Sequence, residues 1–238
     1  MPPSVPLPCC VVTDPRAPLP SSQRLTAGLL LALCVLLAMP ALAAGKPSLL
    51  QRLRELIGYN PSQAVGGSRS SAASRVCLVT PRLESDSAAA GTPALAVVHL
   101  PNPTLLTAQP LNEIQLVRNG RQLWRQRASS GSPISGPINW PITPLAPGEE
   151  LLLRLRPLGA SGGDFAEIRL RAGSSQQQQQ ALALLANPAQ RLEVIEAQAR
   201  GGNAALASEL VFAPLATPSG QLPALRQELQ AAGCRKPG

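Results

Sequence analysis

EIQLVRNGRQLWRQR, Glu113 to Arg127, contains the strongest local structural signal in the chain. Asn119-Gly120 supplies two residues that tolerate positive φ. A two-residue hairpin with a type I′ turn needs them, because its twist matches that of the flanking strands. Ile114 and Leu116 alternate with Glu113 and Gln115 on one side of the turn, and Leu123 alternates with Gln122 and Trp124 on the other. The alternation predicts two strands of about six residues. Arg118, Arg121, Arg125 and Arg127 fall on this hairpin. By parity, Arg121, Arg125 and Arg127 are expected to share a face with Leu123.

Similar signals extend both ways. Upstream, RVCLVTPR (Arg75 to Arg82) and ALAVVHL (Ala94 to Leu100) read as apolar strands, separated by the loop SDSAAAGT. Downstream, Ile134 to Ile142 is broken by prolines and reads as an edge strand or irregular crossing. Leu151, Leu153 and Leu155 then alternate with Leu152, Arg154 and Arg156 after a Pro-Gly turn. In FAEIRLR, Phe165, Glu167, Arg169 and Arg171 oppose Ala166, Ile168 and Leu170. Strands at this spacing, with turn residues between them, predict an antiparallel β-sandwich-like domain over residues 75–173.

After Gly173 the period changes. Gln176 to Gln180 is a low-complexity run, either a helix extension or a loose linker. Ala181–Leu185, Pro188–Ala199, Ala204–Ala213 and Leu222–Ala232 read as helices, the last stopped by Gly233. The fold class expected is therefore α+β, a sandwich followed by C-terminal helices over 174–234 and a tail at 235–238.

The N-terminal part reads differently. TAGLLLALCVLLAM, Thr26 to Met39, has 14 uncharged residues. That is short for a span of about 20 residues, but it fits a signal-peptide apolar core of roughly 7–15. Arg24 precedes it, Pro40 ends it, and Ala41-Leu42-Ala43 places small residues where a signal peptidase reads. Residues 1–43 are thus expected to be a signal peptide cleaved after Ala43, with Ala44 as second choice. Its long leading segment suggests a start placed too far upstream, and the alternative is an uncleaved anchor. Cys34 lies inside the apolar run after Leu33, which excludes a lipoprotein acceptor. A periplasmic or secreted protein is expected, with no transmembrane span after cleavage. Within 44–74, Ser48 to Ile57 reads as a short helix stopped by Gly58, which packs on the domain or docks a partner, and NPSQAVGGSRSSAAS reads as a flexible linker.

Composition limits the chemistry. The 238 residues are 45% apolar but only 2% aromatic, so the core must be aliphatic. The net charge is +8, from 21 basic and 13 acidic residues, with no long block of one sign. After cleavage 19 basic and 12 acidic residues remain, and so do Cys77 and Cys234. In an oxidising compartment these two either pair or stay as separate thiols. The single histidine, His99, reads as a packed or edge-strand residue, and no Gly-x-Ser-x-Gly elbow accompanies it. Glu149-Glu150 reads as a polar turn, and Glu193 and Glu196 as solvated helix positions. No phosphate loop, dinucleotide fingerprint or zinc spacing is present. Scattered aromatics do not make a stacking platform for nucleic acid. The expectation is a protein without catalytic residues, cofactor or metal.

Gly66-Gly67-Ser68-Arg69 ahead of Cys77, followed by strands and a closing Leu229–Gly233 stretch, resembles an exported family catalogued as domain of unknown function nine-two-eight. The chain departs from that pattern in its scarce aromatic residues and in lacking a second acid-rich strand. The resemblance implies a signal peptide, a sandwich and closing helices, and it implies no activity. Two functions are therefore open: a structural or interaction module engaging an envelope protein, or a module that binds anionic polymer or lipid head groups through Arg118, Arg121, Arg125 and Arg127.

Overall fold

Asn119 and Gly120 take φ values of 49° and 76° and join β4 (Leu111–Arg118) to β5 (Arg121–Arg127). This is the positive-φ pair that the tight turn requires. The computed structural model describes residues 49–57, 76–84, 93–160, 162–215 and 220–233. The signal segment with Ala43, the linker with Gly66–Arg69, and Cys234 lie outside the described residues.

The remaining strands are β1 (Leu78–Thr80), β2 (Ala94–Val98), β3 (Leu106–Thr107), β6 (Glu150–Pro157) and β7 (Ala166–Ala172). Five of the seven form one sheet in the order β2-β7-β6-β4-β5, and β1 pairs with β3 in a second, two-stranded sheet. The large sheet is mixed, not wholly antiparallel as expected, because β2 runs parallel to β7. Alternation identifies a strand and its buried face but says nothing of which distant strand it joins, and these two are separated by most of the domain. The fold is α+β, with one helix before the first strand and four α-helices after the last among the described residues.

Period two decides what the large sheet buries. Ala96, Val98, Leu116, Leu153, Leu155, Ile168 and Leu170 point to one side and are buried. Across them lie Val76, Leu78, Leu105, Leu111, Ile134 and Leu145, which complete the same core. The proline-broken segment is irregular, as expected, and is held by reciprocal main-chain hydrogen bonds between Leu111 and Ile134 and between Leu105 and Ile138. Each fully buried Leu or Ile stabilises the fold by about 1.5–3 kcal/mol.

Five helices build a second core: α1 (Leu49–Ile57), α2 (Ser175–Leu185), α3 (Arg191–Arg200), α4 (Ala204–Phe212) and α5 (Leu222–Ala232). The short β1–β3 sheet separates the two cores. Val79 and Leu106 face the helices, while Leu78 and Leu105 face the large sheet. α1 packs among α3, α4 and α5 through Leu53 and Ile57, and Leu56 stays exposed. The glutamine run is the first part of α2. Ser174 caps it in a capping box with Gln177, and the buried Gln178 donates to the Leu145 carbonyl. No helix among the described residues is long and apolar enough to cross a membrane.

Candidate functional site

The face of the large sheet turned away from its core is an array of arginines. The ladder places Arg127, Glu113 and Arg156 side by side on β5, β4 and β6. The next row is Arg125, Gln115, Arg154 and Glu167, and beyond it Arg171 faces Glu150. With Arg169 this face holds six arginines and three glutamates, a surplus of three positive charges.

Glu113 organises the array. Its carboxylate is buried and accepts from Gln115 Nε2 at 2.6 Å, from Arg156 Nη2 at 2.7 Å and from Arg125 Nε. Arg127 Nε lies 3.5 Å away. Burial by itself raises the Glu113 pKa, but the hydrogen bonds from Gln115 and Arg125 and the charges of Arg125 and Arg156 outweigh it and hold the carboxyl below its ordinary value. Arg154 bridges Gln115 and Glu167 at 3.2 and 3.0 Å, and its guanidinium and that of Arg156 lie 4.5 and 5.7 Å from the Phe165 ring centre. These contacts hold the guanidiniums of Arg125, Arg154 and Arg156 in place. Arg169 has no ion-pair partner among the described residues, and Arg127 is mostly exposed.

The four hairpin arginines do not act as one group. A bulge between Leu116 and Val117 shifts the register, so Arg121 lies opposite Arg118 and not on the face of Arg125 and Arg127. Simple parity fails because one inserted residue inverts every position beyond it. Arg118 is held by Glu149, whose other oxygen accepts from the Ala146 amide at 2.8 Å. The arginines that join Arg125 and Arg127 come from β6 and β7. Alternation placed them on one side of their own strands, but only the sheet order brings them together.

A second feature lies on the helical side. His99, just past β2, donates its main-chain N–H to both Glu209 oxygens at 2.9 and 3.0 Å. Its ring Nδ1 is 2.9 Å from Glu209 Oε1, and the Leu100 amide donates to Oε2 at 2.8 Å. His99 also lines a cavity of about 450 Å³ among α2, α3 and α4. Packing of His99 is as expected, but neither the buried carboxylate behind it nor the cavity before it was visible in the sequence. No group of three or more potential metal ligands occurs among the described residues.

No family model, curated protein or solved structure matches the chain.

Proposed function

We propose that this protein is an exported, non-catalytic binding module of the cell envelope, and that the arginine face of its large sheet engages an anionic envelope polymer. Cleavage after Ala43 releases it to the periplasm or the exterior. The β1–β3 sheet and the bridged segment around Ile134 and Ile138 form the thin second leaf of a sandwich-like domain. The observation that carries the proposal is a face with a surplus of three positive charges on which Arg125, Arg154 and Arg156 are already held in place by Glu113, Gln115 and Phe165. A ligand that meets fixed arginines spends little on ordering them, and planar guanidiniums match carboxylate, sulfate and phosphate groups. Because the arginines recur on β5, β6 and β7, a partner with repeated charges engages more of them than a single anion does.

The test is binding of the purified mature chain to a soluble anionic polysaccharide, to its neutral counterpart and to vesicles with and without anionic lipid. Binding to the anionic polysaccharide alone, weakened by salt, is expected. An exposed ion pair contributes roughly 0.2–1 kcal/mol, so the triple change Arg125→Ala, Arg127→Ala, Arg169→Ala should weaken binding roughly tenfold. Preference for anionic vesicles over polysaccharide would move the assignment to lipid head groups. Binding to neither would overturn it in favour of a protein partner, sought by crosslinking in the native envelope.

A further inference from the structure

The cavity beside His99 has a polarity that defines its ligand. Glu209 is buried and accepts two main-chain N–H bonds. His99 Nδ1 lies 2.9 Å from Glu209 Oε1. In the neutral tautomer whose Nδ1–H donates to the carboxylate, the other ring nitrogen, Nε2, is an acceptor. Nε2 has no partner among the described residues, and His99 lines the cavity.

The other polar groups there are carboxamides from three elements: Gln177 and Gln180 on α2, Gln198 on α3, and Asn203 at the start of α4. Several of their oxygens already accept one hydrogen bond. Gln177 Oε1 accepts from the Ser174 amide at 2.8 Å, Asn203 Oδ1 accepts from the Leu206 amide at 3.3 Å, and Gln198 Oε1 faces Asn203 Nδ2 at 3.5 Å. What remains is a set of amide N–H donors from Gln177 and Gln198, both ends of Gln180, and one imidazole acceptor. Leu184 and Leu206 supply apolar wall.

We infer that this cavity binds a neutral polyhydroxyl compound of about monosaccharide size. A hydroxyl donates and accepts at once, so one hydroxyl can give its proton to His99 Nε2 while it takes an amide proton from Gln198 or Gln177. A cation finds mostly N–H donors where it needs several oxygens. An anion finds the Glu209 carboxyl behind His99 and no lysine or arginine in the lining. The volume of about 450 Å³ lies within the roughly 300–1,000 Å³ common to small-molecule sites. This site is separate from the arginine face and does not depend on it.

The experiment is ligand-observed NMR on the full mature chain with glucose and inositol, and with glucuronate as the charged control. Saturable binding of a neutral polyol is expected, with glucuronate weaker. The ¹⁵N signal of His99 Nε2 should move from an unprotonated value on saturation, while Nδ1 keeps its proton. His99→Asn preserves a donor toward Glu209 and removes the acceptor, and it should weaken binding by tenfold or more. Gln180→Ala changes an exposed residue without an internal hydrogen bond, so it leaves the fold intact and should also weaken binding. Absence of binding by either neutral polyol, glucuronate binding as tightly as glucose, or affinity unchanged in Gln180→Ala would each overturn the inference.

Discussion

Glu209, in the middle of α4, binds His99 through main chain and ring across a separation of 110 residues. With the Leu100 amide this makes one buried carboxylate the polar tie between the end of β2 and the helical core. Replacing Glu209 by Ala leaves two buried main-chain N–H groups and His99 Nδ1 without their partner. Each unsatisfied buried group costs about 1–3 kcal/mol, and removing one side of such a cluster costs about 3–5 kcal/mol in all. Urea denaturation of Glu209→Ala should show a loss in that range, and Glu209→Gln, which keeps one acceptor, a smaller one. A loss below about 1 kcal/mol would mean that water replaces the carboxylate and the tie is not structural.

The C-terminal end of the same helix is covered by two arginines. Arg226 of α5 donates to the carbonyls of Val211 and Ala213, each at 2.7 Å, and the buried Arg191 of α3 donates to that of Leu210 at 3.0 Å. These carbonyls are among those a helix leaves unpaired, and positive charge there also meets the negative end of the helix dipole. Burial lowers both guanidinium pKa values, and at Arg191 the Arg226 charge adds to the fall. Arg226→Leu should destabilise the fold by about 1–3 kcal/mol. Arg226→Lys should recover only part of this, since a point-like ammonium does not reproduce the planar fork that spans two carbonyls. Full recovery by Lys, measured by the denaturation midpoint, would show that charge alone suffices.

Much of the fold is legible in the sequence where a single segment carries its own signal. Asn119-Gly120 demands its turn, and the alternation of Leu151, Leu153 and Leu155 with Arg154 and Arg156 predicts the buried face of β6. The illegible parts depend on meetings between distant segments. Nothing local distinguishes Leu105 from Leu106, yet they serve different cores because β3 lies between two layers. Nothing local puts β2 beside β7. The same holds for the sites: four hairpin arginines are visible as a group, but the bulge near Val117 divides them, and Glu113 gathers Arg156 from a strand some forty residues on. His99 is a lone histidine in the sequence because its carboxylate partner is on a helix whose pattern signals only packing.

Cys77 and Gly233 come together across most of the chain: a Cβ at Gly233 would lie 3.6 Å from Cys77 Sγ and 3.1 Å from the Ala108 Cβ. The next residue is Cys234. A bridge from Cys77 to Cys234 closes a loop of over 150 residues, which in the chain-entropy model stabilises by roughly 4–5 kcal/mol. On the proposed export and pairing, intact mass of the protein from the cell envelope should begin at Ala44, and alkylation should add mass only after reduction. Reductant should also lower the melting temperature. Gly233→Ala tests the close approach separately: φ there is +45°, so the side chain brings both strain and crowding, and about 1–2 kcal/mol of stability should be lost. Free alkylation of unreduced protein would exclude the bridge, and a mass that retains Cys9 and Cys10 would exclude cleavage.

Glu113 gives the arginine face an acid-sensitive centre. Its folded pKa lies below the unfolded value of about 4.3, so the folded state keeps the carboxylate ionised where the unfolded chain has begun to bind a proton. A depressed carboxylate contributes stability that is fully present above the unfolded pKa and is lost as pH falls through the folded one. The fold should thus hold its stability from neutral pH down to about 5 and lose it progressively below about 4. Glu113→Gln removes this titration. At neutral pH the variant should be less stable by about 1–3 kcal/mol, because Arg125, Arg127 and Arg156 are left facing one another without the central charge. Its stability should then fall less steeply between pH 4 and 2 than that of the unchanged protein, so that the two curves converge in acid. The arginine face makes a further demand on the same variant: with the central anion gone, the net positive charge rises by one, and polysaccharide binding should strengthen if attraction dominates or weaken if Glu113 is needed to hold the guanidiniums in place. The fixed geometry around Gln115 and Phe165 favours weakening. Parallel acid curves for the two proteins would show that Glu113 does not carry the acid sensitivity.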